Sequence, residues 1–193
     1  MPTRFRWPLL LAALLTALPG ATPATFAQPA APGLAPAPPP AATWTDHSRV
    51  LPDKLRAVPV GLTLWHLPNP VYPAPDPAPD PAQPGGYRWH HATLVRSEVG
   101  PLTVVECGSF IWYSAAGWQA NMHQTPAEFA DLFHCPRGQL RASQTYTFAT
   151  NDRLADSAQQ LYPGDALWYI LARDAHGTLY KGMGLIETEA SVR

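Results

Sequence analysis

Seven histidines, two cysteines and a scatter of carboxylates are the residues of this chain that could do chemistry, and their spacing decides which chemistry is open to them. Zinc sites draw ligands from short patterns such as His-x-His, His-Glu-x-x-His or paired Cys-x-x-Cys, because two ligands must reach one ion from one local element. None of these occurs. His90 and His91 are adjacent on a predicted strand, where neighbouring side chains point to opposite faces, so one ion is not held by both. His123 and His134 have a predicted helix between them. The histidines therefore read as surface or edge-strand residues with ordinary pKa values, and no metal or other cofactor is expected.

Hydrolytic chemistry has equally little local support. Ser109 and Ser114 flank an aromatic strand, yet neither lies in a Gly-x-Ser-x-Gly elbow. An acid/base pair could be drawn from Glu98, Glu106, Glu128, Glu187 or Glu189 with His123 or His134, and it would make the chain a small envelope hydrolase. That is the second reading of the sequence. The first comes from the aromatics, the one concentration of side chains above background. Trp89, Phe110, Trp112, Tyr113 and Trp118 fall within thirty residues, with Trp168 and Tyr169 later. Most would pack a core, but Trp118, in the polar loop Ser114 to Gln124, can form with Trp112 or Tyr113 a contact platform for a polymer or partner protein. The chain then reads as a non-catalytic binding or interaction module whose ligand contacts are Trp112, Tyr113 and Trp118.

The elements that must position these residues are mostly strands. Val60, Leu62 and Leu64 alternate with Gly61, Thr63 and Trp65, which predicts a strand over Val58 to Leu67 that joins the main sheet. Tyr87 to Glu98, Leu102 to Cys107, Phe110 to Ser114 and Gln144 to Thr150 are further predicted strands. Ala166 to Arg173 and Thr178 to Glu187 form a hairpin about the turn Asp174 to Gly177. Thr125-Pro126-Ala127-Glu128 carries a capping hydroxyl, a proline at the first helical position and a glutamate three residues on, which predicts a helix over about 126–134. Asn151 or Asp152 would cap a second, weaker helix over about 152–161. The fold class is mainly β (α+β), an antiparallel sheet with these helices.

Cys107 and Cys135 are two cysteines in one small predicted domain. In an oxidising compartment that count favours a disulfide, here closing a ring of about 29 residues worth roughly 3–4 kcal/mol. The oxidising compartment is itself an inference from the N-terminus. Arg4 and Arg6, the apolar run Pro8 to Leu18 and the small residues around Thr25-Phe26-Ala27 have the three-part pattern of a secretory signal peptide over 1–27. Fourteen of the 24 prolines fall in 28–43, read as a Pro/Ala-rich linker, and 68–86, read as a Pro/Asp-rich loop. Residues 44–67 hold the extra strand and 87–189 the globular domain.

The formal net charge of −1 becomes −3 when Arg4 and Arg6 leave with the leader, and no later run of lysine and arginine occurs. Nucleic acid is therefore not an expected partner. No second apolar stretch of about 18 residues follows, so no membrane insertion is expected after leader removal. The sequence points to a periplasmic or secreted module whose partner is a protein or polysaccharide of the cell envelope.

Overall fold

A computed structural model describes residues 49–77, 86–114 and 116–193, and the architecture is that of the compact unit that contains Val50–Arg193. The signal peptide and the Pro/Ala-rich linker lie outside the described residues. In chain order the elements are helix α1 (Asp53–Arg56), strands β1 (Leu62–Leu67), β2 (Ala74–Pro75), β3 (Tyr87–Trp89), β4 (Ala92–Ser97), β5 (Leu102–Tyr113) and β6 (Gly117–Gln124), helix α2 (Pro126–Leu132), then β7 (Gln139–Leu140), β8 (Thr145–Phe148), β9 (Arg153–Ala155), β10 (Gly164–Arg173) and β11 (Leu179–Thr188). Among described residues, no helix is long and apolar enough to cross a membrane.

Among the described residues the pairs between these strands are antiparallel, as the mainly β reading expects, and three isolated bridges are parallel. The largest sheet runs β11-β10-β5-β6, with β7 on the start of β5. A second sheet runs β1-β4-β8 and a small third runs β2-β3-β9. The β10–β11 hairpin closes as its turn residues dictate: the Asp174 carboxylate accepts from the backbone N–H groups of His176 and Thr178, and Gly177 takes the left-handed φ of 85°. Helix α2 begins with both halves of a capping box, Thr125 Oγ1 accepting from Glu128 N and the Glu128 carboxylate accepting from Thr125 N.

Two apolar clusters lie against the largest sheet. The larger fills the space under β1, β4, β8 and α2 with Leu62, Val95, Val104, Phe129, Phe133, Trp168 and Ile170. Strand β1 can cross β11 closely because a Cβ at Gly182 would stand 2.8 Å from Leu62 Cβ, and one at Gly184 2.8 Å from Leu64 O. The smaller cluster lies on the opposite face. There Phe110, Leu167, Tyr169 and Leu171 are covered by Leu51, Leu55 and Val58 from the segment around α1, with Trp118 at its margin. That segment is fixed by Leu55, fully buried, and by buried Lys181, whose ammonium donates to Leu55 O.

Besides the division of the predicted strand Tyr87 to Glu98 into β3 and β4, three expectations need correction. No disulfide joins Cys107 and Cys135; both are free and buried. Cys107 stands in the middle of β5, level with Ile170 and Gln124, whereas Cys135 lies just beyond α2 with its Sγ donating to Gln139 O at 3.1 Å. Burial pushes both thiols up, Cys135 to about 11, so neither is a ready nucleophile. The weaker helix over 152–161 is instead β9 and a single 3-10 turn, Ala158–Gln160. Asp152 does not cap it, because its carboxylate is held by Arg88 and His90, and Leu154 is level with Arg88 in the β3–β9 ladder. Third, not all the histidines are superficial: His66 and His91 are buried, 3% and 4% exposed.

Candidate functional site

The row that crosses the largest sheet at Gly108 builds the site. Tyr169 of β10 and His123 of β6 are both register partners of Gly108 on β5. A Cβ at position 108 would stand 2.7 Å from Tyr169 Oη and still closer to Met122 O, so glycine is what lets the phenol lie across β5. The ring is held from the other side by Phe110, at a centroid distance of 5.3 Å. Two residues before Gly108 on the same strand stands Glu106. Tyr169 Oη donates to its carboxylate at 2.5 Å, and Lys54 of α1 donates to that carboxylate and, at 2.9 Å, to Tyr169 Oη. The ammonium also lies 4.6 Å from the centroid of the Tyr169 ring.

These contacts set the charges. Partial burial alone would raise the Glu106 carboxyl, but the hydrogen bonds from Lys54 and Tyr169 outweigh it and hold the group below the usual carboxylate range. Partial burial would lower Lys54, and the same two partners reverse that too. Tyr169, buried and donating to Glu106, is pushed up to about 12. At neutral pH the cluster is an ionised carboxylate, an ammonium and a protonated phenol.

A cavity of about 230 Å³ opens beside it, lined by Lys54, Phe110, Met122, His123 and Tyr169 among others. Its wall is shaped by a bulge. Ser109 is level with Met122 but Phe110 with Ala120, so Asn121 is the extra residue, and its amide donates to Ser109 Oγ at 3.0 Å. His123 Nε2 is 3.7 Å from the Glu106 carboxylate, beyond hydrogen-bond distance, and its side chain is mostly exposed.

The other named candidates are placed as follows. Trp112 and Trp118 are register partners at the tip of the β5–β6 hairpin and pack edge to face at 5.2 Å, while Tyr113 beside them is half exposed. Of the glutamates, Glu98 accepts from Thr63 and Arg96 and Glu128 belongs to the capping box, so both are engaged in local structure. Glu106 is the one that stands with His123, whereas His134 is exposed past the end of α2. Lys54 and Asn121 were not singled out by sequence. A four-residue helix and a bulge leave no periodic signal. Among described residues no group of three or more metal-ligating side chains occurs.

No family model matches the chain, and no curated protein does. Among solved structures the chain is similar to a crystal structure assigned to ApaA of Bordetella pertussis, with 15% identity and a TM-score of 0.41 over 67% of this chain and 94% of that one. A likeness of that degree carries nothing about the site.

Proposed function

We propose that this chain is a non-catalytic binding module, exported to the periplasm or beyond, that takes a protein or polysaccharide of the cell envelope at the cleft beside Tyr169, with Trp112, Tyr113 and Trp118 as flanking contacts. The observation that carries the reading is that, His123 apart, the polar groups named beside the cleft are satisfied by one another. The Glu106 carboxylate receives Lys54 and Tyr169, the phenol is held protonated, and the Ser109 hydroxyl receives Asn121 rather than a base. General acid–base work needs a group free to move a proton near neutral pH. What this cleft offers is a shaped, largely preformed recess. The three-part N-terminal pattern supports export.

The second reading is a hydrolase with His123 and Glu106 as its acid/base pair, and their approach to 3.7 Å is what favours it. One experiment separates the two. Amide chemical shifts of the labelled protein are followed against a set of neutral and charged fragments, alongside turnover of chromogenic esters and glycosides. Saturable shifts confined to Phe110 and 120–123 without turnover support the binding module. Turnover that disappears in both His123→Ala and Glu106→Gln, each still folded, overturns it in favour of the hydrolase.

A further inference from the structure

The cleft already holds one occupant, the ammonium of Lys54, and the chemistry around it is that of a receptor. The Glu106 carboxylate is reached from the cleft through Lys54, so an anionic ligand that displaced the ammonium would meet a like charge and a neutral one would leave that charge uncompensated. A carboxylate, a phenolic oxygen and an aromatic face together suit a cation with N–H donors. We propose that this is a site for a primary ammonium on an apolar stem, the lysine side chain of a partner protein, and that Lys54 is its resident, displaceable stand-in. The inference rests on the cleft being a binding site, as argued above.

Receptor and stand-in are held by different parts of the molecule. Glu106 and Tyr169 belong to β5 and β10, paired on both sides in the largest sheet, and Tyr169 is buried and locked between Phe110 and Gly108. Lys54 comes from α1, whose backbone is anchored by Leu55 and Lys181 rather than by Lys54 itself. Its side chain is 39% exposed, so it can turn into water without moving the helix. Exchange of one ammonium for another leaves the carboxylate neutralised. The recess next to the ammonium has Phe110, Ala120 and Met122 in its wall, which suits a methylene stem better than the hydroxyl-bearing ring of an amino sugar.

A resident competitor lowers apparent affinity by the fraction of time that it occupies the site. The test is therefore titration of wild type and Lys54→Ala with n-butylamine, followed by the amide shifts of Gly108 and His123, with n-butanol and glucosamine as comparison probes. The expected result is on the order of tenfold tighter n-butylamine binding in Lys54→Ala than in wild type, weaker binding of glucosamine, and loss of n-butylamine binding when Glu106→Gln is added. Tyr169→Phe in the Lys54→Ala background keeps ring and carboxylate but removes the oxygen, and should weaken binding several-fold if Glu106→Gln fails to fold. Equal n-butylamine affinity in wild type and Lys54→Ala, or tighter binding of n-butanol or glucosamine, overturns the inference. Neutral fragments that still shift Phe110 and 120–123 would then leave the binding module standing, and their failure would remove that reading as well.

Discussion

Strands β5 and β10 each present two unlike surfaces, and the contrast between them separates stability from function. On the inner face Cys107, Trp168, Ile170 and Ala172 are packed under a second sheet and a helix, with almost every atom removed from water. On the outer face the alternate residues Glu106, Phe110, Tyr169 and Leu171 are covered, among the described residues, by the short segment around α1 with Trp118 at the margin. Where that cover ends, the cleft begins. One strand can serve both purposes because its side chains alternate, so a surface can be reshaped for a ligand while the buried residues between keep the sheet in register.

The contrast breaks most sharply under acid, because the two faces titrate in different windows. His66 and His91 lie on the inner side, rings 5.8 Å apart, with Trp168 against His66. His66 Nδ1 meets Thr93 Oγ1, and His91 Nε2 has no hydrogen-bond partner among the described residues. Burial lowers both rings from 6.5 to about 4; at His91 the charge of a protonated His66 adds to it, while Trp89 O and the more distant Asp152 oppose and His90 contributes slightly. Above pH 6.5 both are neutral in folded and unfolded chain alike. Between 6.5 and about 4 the unfolded chain takes up protons that the folded one refuses, so stability falls as pH falls, by about 3 kcal/mol for one ring and by more for the two together. Melting temperature should therefore drop steadily from pH 7 to 4, and His91→Gln should roughly halve the slope. Glu106, whose carboxyl is lowered, gives up its contribution only below the usual 4.5, so Glu106→Gln should leave the slope between pH 7 and 5 unchanged. A melting temperature that is flat from pH 7 to 5 would refute the account of the inner face.

Truncation should rank the faces in the same order. Trp168→Ala removes a fully buried inner tryptophan at a cost of roughly 3–5 kcal/mol, and Leu55→Ala, under the thinner outer cover, roughly 2–3 kcal/mol. Denaturant midpoints measure both. If Leu55→Ala proved the more damaging, the segment around α1 would have to be counted as part of the main core rather than as a cover.

What was legible in the sequence is what is decided locally. The capping box of α2 and the Asp174–Gly177 turn are complete within a few residues, and both are where the residue types put them. His90 is exposed and His91 buried, although neither lies within a strand. The predicted strand Tyr87 to Glu98 is broken at that pair, because Trp89 is drawn into the β9 ladder while 92–97 pairs with β1. Leu154, Ala158 and Leu161 have helical spacing, yet pairing with Arg88 wins over so weak a pattern. The candidate site was least legible. Tyr169, Gly108 and His123 meet only through the register of three strands, and Lys54 reaches them from a helix of four residues.

The smallest expected effect concerns the pair of residues whose relation the sequence suggested most strongly. Compartment and even count argued for a bond between Cys107 and Cys135, but neither can see that one thiol faces the middle of the inner core and the other a backbone carbonyl beyond α2. With no cross-link restricting the unfolded chain, a reducing agent has nothing to break, and the melting temperature should be the same with and without it. Both thiols are buried and raised in pKa, so a thiol reagent should label neither in the folded protein and both after denaturation, at a rate set by opening of the fold. Chain that has lost two mass units relative to its sequence, together with a melting temperature that falls by many degrees on reduction, would restore the bridge and require Cys135 to sit against β5 instead of Gln139.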